Sequence, residues 1–112
     1  MSVCRITTLN LKTKEAADEI VSSYTANAPT EFPEAEQLLQ IRAGDTTVIA
    51  VSLYQDEAAM ERASANRTKR MDSKKDHYVS VDMKVGSVVL NHSNNLIIFK
   101  GGKIWLKLGE EF

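Results

Sequence analysis

The amino-acid sequence predicts a single α+β domain: a strand, a helix, two strands joined by a tight turn, a second helix and a closing strand. Three observations carry that expectation. Residues 37–63, QLLQIRAGDTTVIAVSLYQDEAAMERA, read as strand, turn, strand and capped helix. Residues 3–11 hold β-branched residues and apolar side chains on both faces, as in a strand covered on both sides. Between them, Ala16, Ala17, Ile20 and Tyr24 recur at three- and four-residue spacing, which makes one apolar helical stripe.

Composition sets the frame. A chain of 112 residues suits one domain. It buries roughly two thirds of its unfolded surface, so its core needs neither metal nor disulfide. A net charge of -1 gives no general attraction to nucleic acid or to anionic membrane. The one cysteine, Cys4, has no intramolecular partner and fits a reducing compartment. Its place in the first strand favours a buried, inert thiol over a nucleophile. MSVCRITTLN lacks the apolar core of a secretion signal, so the expected location is cytoplasmic. The longest apolar runs, 88–90 and 96–99, are too short to span a bilayer. Asn66-Arg67-Thr68 and Asn91-His92-Ser93 match the glycosylation pattern but, without such a signal, are read as chance.

The elements follow in order. In the first strand Val3, Leu9 and Leu11 share one face, Cys4 and Ile6 the other. Thr13 caps a helix expected to end near Asn27. Pro29 and Pro33 then mark a loop over 28–36, in which Phe32 plugs a helix end or lines an entrance, the plug being favoured. Strands at 37–42 and 46–54 flank Gly44-Asp45, a hairpin signal because Gly readily supplies a positive φ. Ile49, Val51 and Leu53 load one face of the third strand, and this heavier face is expected against the helices. Val48, Ala50, Ser52 and Tyr54 form the lighter face. Asp56 caps a helix expected over 57–71, with Ala59, Met60 and Ala63 as its apolar stripe. The basic run from Arg67 to Lys75 reads as a solvated helix end rather than an anion or nucleic-acid patch. A strand over 78–90, with a bulge near Gly86, closes the core.

This order is the ferredoxin-like βαββαβ arrangement. Two helices then lie on one face of a four-stranded antiparallel sheet, with the first and third strands central; those two are expected to run parallel. The opposite sheet face has no cover within the monomer, which calls for a homodimer packed face to face. The domain is assigned to residues 1–91. Residues 92–112 form an extension with a hairpin around Gly101-Gly102. In that register Phe99 stands opposite Ile104 and Ile97 opposite Leu106, with Ile98 meeting Trp105 on the other face. The hairpin is expected to cover a sheet edge, because an isolated hairpin is marginal in water.

VIAVSLYQDEAAMERAS, the preceding QIRAGDTT turn and the closing GSVVLNH resemble the antibiotic-biosynthesis-monooxygenase type of dimeric α+β barrel, over about residues 1–91. The resemblance implies two sheets facing each other across a cavity between subunits. It implies an activity among those of the superfamily: cofactor-free oxygenation of aromatic polyketides, haem degradation, or isomerisation of small rings. The haem-degrading members carry His and Trp on the second helix. Residues 57–71 contain neither, and the one tryptophan, Trp105, lies in the hairpin, which counts against haem. The cofactor-free oxygenases use Asn, Tyr and Trp on the cavity wall; Asn10 and Tyr54 are the available counterparts, outside any matching motif.

On this reading Arg5, Thr7, Ala50, Ser52 and Tyr54 line the cavity, with Asn10 at a strand end and His77 at the entry to the last strand as further candidates. Tyr54 is either a rim residue or a ligand contact. Arg5 is expected to pair with Asp82 on the neighbouring strand, the alternative being an anion-binding Arg. His77 is either a surface loop residue or an acid–base group. No cluster has metal-ligand spacing, no glycine-rich loop cradles phosphate, and no nucleophile motif occurs, so neither metal nor cofactor is expected. Three functions stay open: an oxygenase or isomerase of a small aromatic or quinol-type molecule, a ligand-binding or stress-associated barrel without chemistry, and a purely structural dimer.

Overall fold

The computed structural model describes residues 1–94, together with the backbone of two short strands, Leu96–Ile98 and Ile104–Leu106. The core elements are β1 (Val3–Leu11), α1 (Lys14–Glu31), β2 (Ala35–Arg42), β3 (Thr47–Tyr54), α2 (Glu57–Arg62), α3 (Ser64–Ser73) and β4 (Tyr78–Ser87). The four strands form one antiparallel sheet in the order β2-β3-β1-β4. β1 pairs antiparallel with both β3 and β4, not parallel with β3 as expected. The crossover through α1 carries the chain to the edge strand β2. This makes β1 and β2 the parallel pair, and β3 returns between them antiparallel to each.

Local chemistry sets most boundaries. Thr13 Oγ1 accepts from the Ala16 N–H at 3.0 Å and starts α1; Asp56 Oδ1 accepts from the Ala59 N–H at 2.8 Å and starts α2. α1 runs through Pro29 to Glu31, past its expected end. Proline in this last turn forfeits one ladder bond, and burial of Ala28 and Phe32 against the sheet outweighs that loss. Phe32 is the plug, packed with Val3, Tyr54 and Ala59. The helix expected over 57–71 is instead two, α2 and α3, which meet at the buried Ala63. The β2–β3 turn holds Gly44 outside the left-handed region; Arg42 braces it by donating to the Gly44 and Asp45 carbonyls at 2.7 and 2.8 Å. β4 ends at Ser87, and its register shift falls opposite Asn10 and Leu11, not at Gly86.

The sheet faces the opposite way from expectation. Val3, Arg5, Thr7, Leu9 and Leu11 of β1 and Val48, Ser52 and Tyr54 of β3 are buried on the helix side. Ile49, Val51 and Leu53 lie on the open face beside Cys4 and Ile6. Leu39 and Ile41 join them from β2, opposite Val51 and Ile49. Two apolar clusters result. One gathers Val3, Ala28, Phe32, Tyr54, Ala59 and Ala63; the other gathers Leu9, Leu11, Ala17, Ile20 and Val48. Between them lie two rows of the sheet, Arg5 opposite Ser52 and Thr7 opposite Ala50.

Leu96–Ile98 and Ile104–Leu106, β5 and β6, form a separate two-stranded sheet. Ile98 stands opposite Ile104 and Ile97 opposite Trp105, one residue out of the expected register. The expected pairing of Phe99 lies outside the described residues. No helix among the described residues is long and apolar enough to cross a membrane.

Candidate functional site

The rows between the two clusters open into a cavity of about 50 Å³. Arg5, Thr7, Ala50, Ser52 and Tyr54 come together on its sheet wall. It lies between the sheet and the helices of a single subunit, not between two facing sheets. The inverted sheet accounts for the change: the light face of β3 leaves room against the helices, while its bulkier face looks outward. Asn10 is elsewhere, on the open face, donating to Ser80 Oγ at 3.0 Å and accepting from Thr47 Oγ1 at 3.1 Å. His77 is also outside the cavity, in the single 3₁₀ turn before β4, where its carbonyl accepts from the Lys12 N–H at 3.0 Å.

Arg5 is 7% exposed, and its guanidinium carbon lies 5.9 Å from the centre of the Tyr54 ring. It does not pair with Asp82. Arg5 stands opposite Val85, whereas Asp82 stands opposite Thr8 on the other face of the sheet, where it meets Lys84 at 3.8 Å. Adjacent strands were the right inference, but the two-residue alternation separates these side chains.

The helix wall supplies further cations. Arg67 of α3 donates from Nη2 to Thr7 Oγ1 at 3.1 Å. Its burial, and then the like charge of Arg5, hold its pKa below the ordinary arginine value. Arg70 grips Glu31 and stacks 5.6 Å from the Tyr24 ring centre. Lys74 reaches Glu19 at 3.2 Å. Among the described residues no carboxylate pairs with Arg5 or with Arg67.

Two phenols complete the wall. The Tyr54 hydroxyl is fully buried with no hydrogen-bond partner in the protein. Ser52 lies near enough to favour the ionised phenol slightly, without closing a hydrogen bond of good geometry. Burial dominates, raising the Tyr54 pKa. Tyr78 donates to Met71 Sδ at 3.6 Å, a weak contact, and its pKa is also raised, chiefly by burial.

Arg67, Arg70, Met71 and Lys74 on the helix wall escaped the reading of the sequence as site residues. The signal was present: they stand at i, i+3, i+4 and i+7, one face of a helix. Counted as a charge run they read as a solvated helix end; counted as a stripe they define a basic face turned onto the sheet. Among the described residues no cluster of three His, Cys, Asp or Glu is arranged to hold a metal ion.

An α+β sandwich with a cation-rich cavity between sheet and helices defines the class. Solved structures share the fold. The fold is similar to that of a monooxygenase from the gene ActVA-Orf6 of Streptomyces coelicolor in complex with nanaomycin D. The TM-score is 0.68 at 9% identity, over 82% of this chain and 91% of that one. It is similar to SnoaB, a cofactor-independent oxygenase from Streptomyces nogalater, with a TM-score of 0.60 at 15% identity over 80% and 95%. It is similar to a dimeric ferredoxin-like protein from an uncultured marine organism, with a TM-score of 0.69 at 8% identity over 83% and 92%. Proteins of unknown function share the fold too. No protein-family model matches the chain, and no curated protein matches its sequence. The chain has the ferredoxin-like fold of antibiotic-biosynthesis-monooxygenase-type proteins.

Proposed function

We propose that each subunit of a homodimer binds one small ring compound in this cavity, and that the activity is cofactor-independent oxygenation of a single-ring phenol or quinol. One observation carries the reading: a cavity between sheet and helices is walled by the Tyr54 ring, arginines and apolar side chains. The Tyr54 hydroxyl behind that wall is buried without a hydrogen-bond partner, a cost of about 1–3 kcal/mol. The volume limits the occupant. About 50 Å³ exceeds the roughly 10–15 Å³ that one water needs and falls far short of the roughly 300 Å³ of sites for drug-sized ligands. A cavity that takes one benzene ring measures about 150 Å³, so even a single ring enters only as wall side chains move aside, and a fused system is excluded.

The chemistry balances without a cofactor. A phenol and dioxygen give a para-quinone and water. One oxygen atom ends on the ring carbon; the other leaves as water with the ring hydrogen and the hydroxyl hydrogen. All the electrons come from the substrate, so no external reductant enters. The cavity's part is to orient the ring and keep it from bulk water.

Dimerisation is assigned to the open sheet face. Ile6, Leu39 and Ile41 are 43%, 47% and 44% exposed there, an apolar surface on a central strand and an edge strand that a second copy would cover. Two similar folds support a dimer and an oxygenase respectively, one described as dimeric and the other as cofactor-independent.

A binding-only role is favoured by one feature: Asn10, the available counterpart of the oxygenases' cavity-wall asparagine, lies on the open face, outside the cavity. The experiment is oxygen uptake with para-quinone formation from phenol and hydroxyquinone formation from hydroquinone, measured against protein-free autoxidation. Uptake above that rate, abolished by filling the cavity with Ser52→Leu, supports catalysis. Binding by thermal shift with no added uptake leaves the binding role alone.

A further inference from the structure

We infer that the cavity takes its ligand as an anion, with a carboxylate seated between Arg5 and Arg67; this rests on the cavity being the binding site proposed above. The argument is a charge count. Four cationic side chains line the cavity: Arg5, Arg67, Arg70 and Lys74. The outer two are answered within the protein, Arg70 by Glu31 and Lys74 by Glu19. The inner two are not. Arg5 is more than nine-tenths buried, and buried arginines are almost always paired. Two uncompensated guanidinium groups beside one cavity are a standing electrostatic cost that an anion removes.

The geometry points the same way. Arg5 and Thr7 are two residues apart on one face of β1, roughly 6.7 Å along the strand. Thr7 Oγ1 holds Arg67 Nη2 at 3.1 Å, so the hydroxyl fixes the second guanidinium over the same stretch as the first. Tyr54 lays its ring against Arg5 and holds that guanidinium in place. A carboxylate matches this set. Its two coplanar oxygens fit the guanidinium fork, and it is already ionised at neutral pH. The rest of the ligand then lies against Leu9, Ile20, Val48 and Met71, which are apolar. The ligand class is therefore a single-ring phenol or quinol that carries a carboxylate.

The test compares benzoate with benzyl alcohol, which has the same ring and no charge, by isothermal titration calorimetry on the full chain at neutral pH. Benzoate should bind at least about tenfold tighter, the least expected when a charge-assisted hydrogen bond is gained. Arg67→Met and Arg5→Met should each weaken benzoate by about tenfold or more and leave benzyl alcohol within about twofold. The comparison in the unsubstituted protein stands even if Arg5→Met fails to fold. Equal affinity for the two compounds, unchanged by Arg67→Met but lost in Ser52→Leu, would overturn the anion assignment and leave the cavity reading in place. Binding that survives Ser52→Leu, or no binding of either compound, would remove the cavity reading and this inference with it.

Discussion

Arg70 on α3 holds Glu31 at the end of α1 through two parallel bonds, Nε to Oε1 at 2.6 Å and Nη2 to Oε2 at 3.0 Å. The pair separates the internal cavity from an outer groove of about 320 Å³ between α1 and α3, and Arg70 borders both. It is one of the ties between α1 and α3, which roof the site, beside the Asn66 amide on the Glu31 carbonyl. Its arginine end is the more buried, so removing the carboxylate strands a cation in poor solvent. Glu31→Gln should therefore destabilise the fold by about 1–3 kcal/mol in urea denaturation. A loss below about 0.5 kcal/mol, typical of a neutral surface change, would show that the tie carries little.

Tyr54→Phe separates stability from binding. The hydroxyl has no partner in the empty protein, so its removal should raise unfolding stability by about 1 kcal/mol. The ring stays in place against Arg5, so ligand affinity should change little. A variant that is less stable than the parent would mean that the hydroxyl is satisfied inside the fold.

Alkaline pH should unfold the protein through its phenols. Burial, the first cause for each, raises Tyr54 and Tyr78 above the ordinary value of 10.0, so the folded state keeps protons that the unfolded chain releases. Their contribution is complete below pH 10 and is lost as pH rises past it. Tyr54→Phe and Tyr78→Phe should each move the alkaline unfolding midpoint upward, followed by circular dichroism. On the acid side, the hydrogen bonds from Arg42 and Arg62 lower the Asp18 and Glu34 pKa values. Both pairs stabilise above the ordinary carboxylate range and fade as pH falls below it; being exposed, they contribute little.

The open face predicts its own disruption. Ile6→Lys places a charge at the centre of that face, on β1 between β3 and β4. Light scattering coupled to size exclusion should give twice 12.5 kDa for the parent chain and a monomer for the variant. A monomeric parent would contradict the assignment of the face to a second copy.

The order of elements, the caps at Thr13 and Asp56 and the plug at Phe32 were legible because each rests on local chemistry. The face of β3 was not. Alternation separates Ile49, Val51 and Leu53 from Val48, Ala50, Ser52 and Tyr54, but it does not say which set meets the helices. The usual rule sends the heavier set inward. Here the inward set is lighter because it leaves a cavity, and the heavier set is turned to a surface that a partner would cover. For the same reason Arg5, Thr7, Ala50, Ser52 and Tyr54 share one face of the sheet, as alternation requires, while the layer against that face is the helices and not a second sheet. Arg67 and Arg70 were missed because charge drew notice before spacing did. The break at Ala63 has no sequence signal, since every residue near it tolerates a helix.

The most direct measurement is an amide NMR titration of the protein with benzoate. The account predicts shifts concentrated at Arg5, Thr7, Ser52, Tyr54 and Arg67, with the open-face residues Ile41, Val51 and Leu53 shifting little. Shifts centred on the open face, or scattered over the surface in proportion to exposed positive charge, would contradict an intramolecular cavity as the binding site.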